Sequence, residues 1–289
     1  MTLPISDNQA ALQQVQHALT AILMEFDRVC RELGLRYVVY GGTALGAVRH
    51  HGFIPWDDDA DVAMTRPEYE RFLAEAPRVL GRGFSIQNSR TNALYPNMFS
   101  KLALDGTLFI SEQMKDNPYK MPIALDLFPL DVVAPSREEY GRQSRATWVW
   151  GRLMYLQGTP RPYVEVTGWK RKVIFAGTTA VHGLLRSLRV TPRALQCRWE
   201  RAARRYEESV GALMGDFTDQ RPLAWAVTEE DLYPAVELPF GDMSVPVPRH
   251  YDAILTRGYG DYMQLPPEDK RKTHEPFIIE LGLHGGEPQ

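Results

Sequence analysis

The sequence predicts an α/β (α+β) protein, with a small sheet and flanking helices in its first half and a run of helices after it. Three observations carry this. Apolar side chains recur at helical spacing from Ala11 to Leu33. A β-branched and aromatic run then leads through Gly41-Gly42 and a short helical stretch to a second strand rich in aspartate. From Glu138 to about Leu213 the strand patterns give way to three helical segments, broken near Gly158-Arg161-Pro162 and Val190-Thr191-Pro192.

Taken in order, Leu12, Val15, Leu19, Ile22, Leu23, Phe26, Val29, Cys30 and Leu33 line one face of the first helix, and Gly34 is placed to end it. Arg36 to Tyr40 reads as a strand. Thr43 can cap a helix from Ala44 to about His50, closed by Gly52. The next strand carries Asp57, Asp59 and Asp61 on one face, with Asp58, Ala60 and Val62 on the other. Pro67 opens a helix through Tyr69, Phe72, Leu73 and Val79-Leu80. Strands follow at Phe84-Gln87, Phe99-Leu104 and Thr107-Ser111, the last two joined by an Asp105-Gly106 hairpin signal. Ile123 to Leu127 is an apolar strand interrupted by Asp126, and Asp131 beyond Pro129 reads as a turn or cap residue. Thr191-Pro192 is a helix entry. The tail is proline-rich and irregular, with one short helix around Tyr251 to Thr256. The expected division is residues 1–134, a basic helical segment 135–215, and a tail 216–289 that packs back on the first part.

Composition excludes little, but charge is unevenly placed. Net charge is -3 overall, yet residues 135–205 hold 15 Lys and Arg against 4 Asp and Glu, leaving a strongly acidic remainder. Such a split suggests a face for an anionic partner, the alternative being solvated helix faces. Two cysteines, Cys30 and Cys197, make no metal-ligand spacing and no disulfide framework, compatible with a reducing compartment. No basic-then-apolar signal pattern opens the chain. The apolar stretch from Val173 to Leu185 is too short to span a membrane.

The chemistry centres on the aspartates. Like charges kept together on one strand call for a cation, the alternative being an acidic loop. Gly41-Gly42 between strand and helix lets backbone amides approach an anion such as phosphate. An anion cradle beside carboxylates is how phosphates are held with a divalent cation, which argues for phosphoryl or nucleotidyl transfer. Asp126, flanked by Leu125 and Leu127, is costly to bury unless paired or metal-bound, the alternative being an Asp paired with an arginine or one at a frayed strand end. Lys101 is a phosphate contact or an edge-strand lysine. His274, after Lys270-Arg271-Lys272-Thr273, is an anion contact or a solvated histidine. His50 and His51 point apart on a helix and make no joint metal site. Trp148, Trp150 and Tyr155 are an aromatic site or core. No nucleophile elbow, phosphate-loop lysine, H-E-x-x-H or nucleic-acid module is present, so no nucleic-acid partner is expected.

Two blocks together resemble the signature of LicD-type transferases: Gly41-Gly42-Thr43-Ala44-Leu45-Gly46-Ala47-Val48-Arg49-His50, and Gly52-Phe53-Ile54-Pro55-Trp56-Asp57-Asp58-Asp59-Ala60-Asp61-Val62. Leu125-Asp126-Leu127-Phe128-Pro129-Leu130-Asp131 resembles the family's later acidic strand. Tyr259-Gly260-Asp261-Tyr262-Met263, Leu265-Pro266-Pro267 and His274 resemble its C-terminal block. The resemblance implies a nucleotidyltransferase-like fold, a small mixed sheet with flanking helices. Separately, the expected localisation is cytoplasmic, with the basic helices docking either a polyanionic glycan or the anionic inner membrane face. The resemblance also implies transfer of a phosphocholine-like group from a CDP-linked donor, CDP-choline or CDP-ribitol, to a hydroxyl of an anionic glycan or lipid-linked acceptor. Placing NMP on a small molecule is the alternative. Carried onto this sequence, the resemblance implies that Asp59 and Asp61 bind Mg²⁺ (or Mn²⁺), with Asp126 as third carboxylate and Asp57 in support. Gly41, Gly42, Thr43, Arg49, Lys101 and His274 are the substrate-binding candidates. The zinc-binding insertion of the fukutin-related animal relatives has no cysteine counterpart here, and Ala60 stands where a bulkier aliphatic is usual.

Overall fold

The computed structural model describes residues 5–111, 114, 117–164, 166–209, 212–268, 271 and 276–280. Helix α1 (Ile5–Leu33) is the long amphipathic element the apolar spacing predicts. Val15, Leu19, Ile22, Leu23, Phe26 and Val29 are all buried along it, and Gly34 ends it at φ 62°. Each fully buried large apolar side chain contributes about 1.5–3 kcal/mol, so this one face anchors the core. Around it pack β1 (Val38–Val39), α2 (Gly41–His50), β2 (Asp61–Thr65), α3 (Arg66–Glu75), β3 (Phe84–Gln87), β4 (Ser100–Leu104), β5 (Leu108–Ser111) and β6 (Ala124–Val132).

The main sheet runs β1-β2-β6-β4-β3, with β2 and β6 parallel and the other pairs antiparallel. It is therefore mixed. Three helices follow, α4 (Arg137–Gly158), α5 (Gly168–Ser187) and α6 (Pro192–Ala203), after which β7 (Met214–Gly215) pairs with the far end of β6. The Thr191 hydroxyl accepts the Ala194 amide at 3.2 Å with Pro192 in the first turn, as the sequence indicates. Ser136 caps α4 in the same manner. The chain then forms α7 (Glu229–Leu232), β8 (Val236–Phe240), β9 (Met243–Val247), α8 (Tyr251–Tyr259) and β10 (Pro276–Glu280). Phe240, Val245, Val247, Leu255 and Tyr262 share one hydrophobic core with α1.

Several expectations are corrected. The helix α2 starts at Gly41, not Ala44, and Thr43 does not cap it. Its hydroxyl instead accepts the amide of Asp61 at 2.8 Å, and His51 at φ 54° closes the helix. The strand β2 starts at Asp61, leaving residues 57–60 as an extended entry segment. The reason is that β1 pairs only through Val38 and Val39 before the chain turns into α2, so on that side nothing continues the ladder beside residues 57–60. Burial nonetheless alternates there: Asp57, Asp59 and Asp61 are half-buried, whereas Asp58 and Ala60 are buried.

The Asp105-Gly106 turn forms, but β4 and β5 do not pair across it; β5 pairs with β10 instead. Asp131 is no turn residue. It lies in β6, which runs on through Pro129, and its carboxylate takes both forks of Arg66 at 2.8 and 2.5 Å in the interior. The same guanidinium lies 5.2 Å from the Tyr69 ring and 5.9 Å from the Trp199 ring, fastening α6 to the sheet. The tail holds a β8–β9 hairpin where irregular chain was expected. Pro239 and Pro246 conceal it in the sequence, but they sit in a two-stranded ribbon whose edges tolerate a missing donor. Gly241 at φ 58° makes its turn.

Candidate active site

The parallel pairing of β2 and β6 sets Asp61 directly opposite Asp126, and the antiparallel pairing of β6 and β4 sets Asp126 opposite Lys101. Residues opposite one another on neighbouring strands share a face, about 4.8 Å apart. Two carboxylates and an ammonium thus form a row across three strands. The Lys101 ammonium and the Asp126 carboxylate are in direct contact. Lys101 is buried on an interior strand, between β6 and β3, so the edge-strand reading is corrected. Its charge is spent first on Asp126.

The first turn of α2 closes over this row. A Cβ on Gly41 would stand 3.2 Å from Asp61 Oδ2, and one on Gly42 only 2.8 Å from Asp57 Oδ2. Gly41 also holds φ 52°, a conformation side-chain-bearing residues rarely adopt. The glycines therefore bring the amide end of the helix against the carboxylates, where its positive pole is favourable. Gln16 of α1 donates to the carbonyls of Ile54 at 3.3 Å and Asp57 at 2.8 Å, holding the entry segment. The Asp126 amide donates to the Ala60 carbonyl at 2.9 Å.

Burial pushes the Asp61 carboxyl well above the usual range, and the charges of Asp59, Asp126 and Asp57 add to it, while Lys101 pulls it down. All four aspartates thus act on one point. This donor set suits a hard cation. Mg²⁺ binds through one or two carboxylates and takes its remaining oxygens from phosphates and water. Among the described residues no group of three or more His, Cys, Asp or Glu is placed to hold a metal ion by itself. Asp61 opposite Asp126 is a pair, the one-or-two-carboxylate share Mg²⁺ takes when a diphosphate supplies the rest.

Other candidates are placed more plainly. Arg49 donates to the Tyr262 carbonyl at 2.6 Å and to that of Gln264 at 3.4 Å, tying α2 to the segment after α8. His50 is held below its ordinary pKa by burial and then by the Arg49 charge, and its ring stands edge-on to Trp56. His274 lies outside the described residues. Trp148 is exposed, whereas Trp150 packs on the cluster around Trp199.

Residue-by-residue reading passed over Tyr259. Its hydroxyl lies 3.9 Å from the Cβ position of Gly41 and its ring stacks edge-on against Trp225 at 5.0 Å. Burial, then the charges of Asp61, Asp57 and Asp59, keep its phenol protonated. It could be found only through the Tyr259-Gly260-Asp261-Tyr262 block. Arg271, over the Trp56 ring at 4.9 Å, is likewise a tail residue brought to the acidic segment.

Residues 34–134 match the family model described as LicD/FKTN/FKRP, nucleotidyltransferase domain. That span contains Gly41, Asp57, Asp59, Asp61, Lys101 and Asp126. The chain is similar to the lipopolysaccharide cholinephosphotransferase LicD of Haemophilus influenzae, 25% identical over 279 residues, which cover 93% of this chain and 98% of that protein. It is also similar to uncharacterized proteins of Rickettsia typhi, 29% identical over 30% of this chain and 29% of that protein, and of Rickettsia prowazekii, 28% identical over 39% and 41%. The match to the family model falls on the strands and helix that assemble the carboxylate row, and the similarity to the Haemophilus protein runs nearly end to end; residues 34–134 are thus similar to a LicD-type nucleotidyltransferase domain.

Proposed function

We propose that this chain is a LicD-type enzyme that transfers a phospho-alcohol group, phosphocholine-like, from a CDP-linked donor to a hydroxyl of a cell-surface glycan or its lipid-linked precursor. The observation that carries the reading is the register pairing of Asp61 with Asp126 beneath the glycine turn of α2. The end-to-end similarity to a lipopolysaccharide cholinephosphotransferase supports the group transferred and the class of acceptor.

Asp61 and Asp126, with Asp59 and in support Asp57, would hold Mg²⁺ or Mn²⁺. The cation would supply positive charge to the donor diphosphate as the bond to CMP breaks. Lys101 keeps the Asp126 carboxylate oriented and offsets its repulsion with Asp61. The amides of Gly41 and Gly42 and the Thr43 turn give the diphosphate a second, neutral set of donors. An acceptor hydroxyl attacks the choline-side phosphorus, CMP departs, and Asp126 completes the metal set or takes the hydroxyl proton. Tyr259, protonated at the mouth of the row, can donate to a phosphate oxygen. Arg49 acts at one remove, by fixing the segment that follows Tyr259.

Purified chain incubated with CDP-choline, Mg²⁺ and lipopolysaccharide should release CMP. Diphosphate release from CTP instead would establish the alternative, a nucleotidyltransferase acting on a small molecule. Asp59→Asn and Asp61→Asn should each lower CMP release at least ~100-fold, the scale of a lost charge-stabilising group. Unchanged turnover and unchanged Mg²⁺ dependence in both variants would overturn the metal assignment.

A further inference from the structure

The basic helical segment carries a second feature, independent of the carboxylate row. Helix α5 packs on the protein through one face only. Thr178 donates to the Pro160 carbonyl at 2.9 Å, His182 Nδ1 lies 2.9 Å from the Leu156 carbonyl, and Leu185 is buried. At 100° per residue these three lie about 160–220° around the axis from Trp169. The opposite face should be polar in a helix that merely meets water. It is apolar. Trp169, Val173, Ala176, Ala180 and Leu184 are spaced four, three, four and four residues apart and all are exposed. Trp169 is 71% accessible, Val173 61% and Leu184 58%, and Leu188 just past the helix 65%.

Cations border this stripe. Lys172 and Arg186 flank one side and Lys170 the other, while Arg161 and Arg189 stand at the two ends of the segment. From Pro160 to Val190 the sequence has six Lys and Arg and a single acid, Glu165. A second copy of the chain meeting the same face would set cations against cations, since a two-fold contact pairs a patch with itself. A soluble polyanion would satisfy the charges and leave the tryptophan and leucines in water. An anionic bilayer satisfies both, apolar stripe in the acyl boundary and cations at the headgroups. No helix among the described residues is long and apolar enough to cross a membrane, so α5 would lie in the interface.

We propose that α5 is an in-plane membrane-docking helix that seats this enzyme on anionic phospholipid through Trp169, Val173 and Leu184, with Lys170, Lys172 and Arg186 at the headgroups. The test is flotation of the full chain with vesicles of phosphatidylcholine alone or mixed with phosphatidylglycerol, at low and high salt. Binding should need the anionic lipid and weaken with salt. Trp169→Ser/Val173→Ser/Leu184→Ser and Lys170→Glu/Lys172→Glu/Arg186→Glu should each reduce it by at least about tenfold. Met24→Ser, an exposed apolar residue on α1, should bind as the unaltered chain does. All substituted side chains face solvent, and matched melting curves confirm folding. Absence of vesicle binding, or equal binding by both triple variants, overturns the proposal. So does loss of self-association or of heparin binding in the variants without any effect on vesicles. Flotation needs no turnover, so its outcome is separate from that of the CMP-release assay.

Discussion

Gly46, midway along α2, tests whether the helix and the acidic segment must meet at one fixed spacing. An alanine Cβ there would stand 2.5 Å from the Gly52 carbonyl oxygen and 3.4 Å from the Ile54 amide. Both are backbone atoms and cannot rotate away. Ordinary contact begins near 3.4 Å, so the Gly52–Ile54 backbone must retreat by about 0.9 Å. Gln16 holds the carbonyls of Ile54 and Asp57 from the other side, which sets this movement against α1. Overpacking of this kind costs about 1–3 kcal/mol. For a chain of this size that lowers the melting temperature by roughly 2–12 °C. The functional cost is larger, because the displaced segment leads straight into Asp57 and Asp59. A misplacement near 1 Å costs on the order of 100-fold in rate. Gly46→Ala should therefore lower kcat/KM for CMP release about 100-fold with the fold retained, as read by turnover and melting curves on one sample. Gly151→Ala on α4, with nothing within 4 Å of its Cβ position, is the matched control and should leave both unchanged. Gly46→Ala with unaltered turnover and melting would refute the claim that α2 sets the position of the acidic segment.

Two further predictions concern buried charges. Arg66→Met leaves the Asp131 carboxylate, 1% exposed, without its partner and should cost about 3–5 kcal/mol in denaturant unfolding, whereas Arg66→Met/Asp131→Leu should recover at least half; purely additive losses would show the pair to be uncoupled. Asp216 is pushed by burial up to about 7 even though the Thr218 amide and hydroxyl both donate to it. A carboxyl whose folded pKa exceeds its unfolded 3.8 favours the protonated folded state, so stability is lost as pH rises from about 4 to about 7. Asp216→Asn should remove that slope, adding at most about 4 kcal/mol at pH 8 and nothing below pH 4; melting curves with an unchanged pH slope would count against it.

Much of the site is legible in one dimension because its parts are local. A strand, two glycines, a helix and alternating aspartates occupy residues 37 to 62, and short-range sterics decide most of their conformation. Half-buried and buried residues alternate from Asp57 to Asp61 as strand spacing predicts, although the strand itself begins only at Asp61. The helix face of α1 and the Thr191-Pro192 entry are likewise properties of spacing.

What depends on long-range pairing escaped a linear reading. Whether Asp105-Gly106 closes a β4–β5 hairpin depends on a competing strand at Pro276–Glu280, over a hundred residues away. Asp131 reads as a turn residue until Arg66 is brought against it, and the prolines of β8 and β9 hide strands that only an edge position tolerates. The sequence by itself determined the local chemistry: which stretch carries the carboxylates, where glycine admits close approach, and which helices are basic. Tertiary structure alone decided that Asp61 faces Asp126, that Lys101 is committed to Asp126, that Tyr259 covers the row, and that the apolar stripe of α5 faces outward. Register and packing face arise from contacts between segments remote in sequence, and the energies that select among them are sums over the whole core.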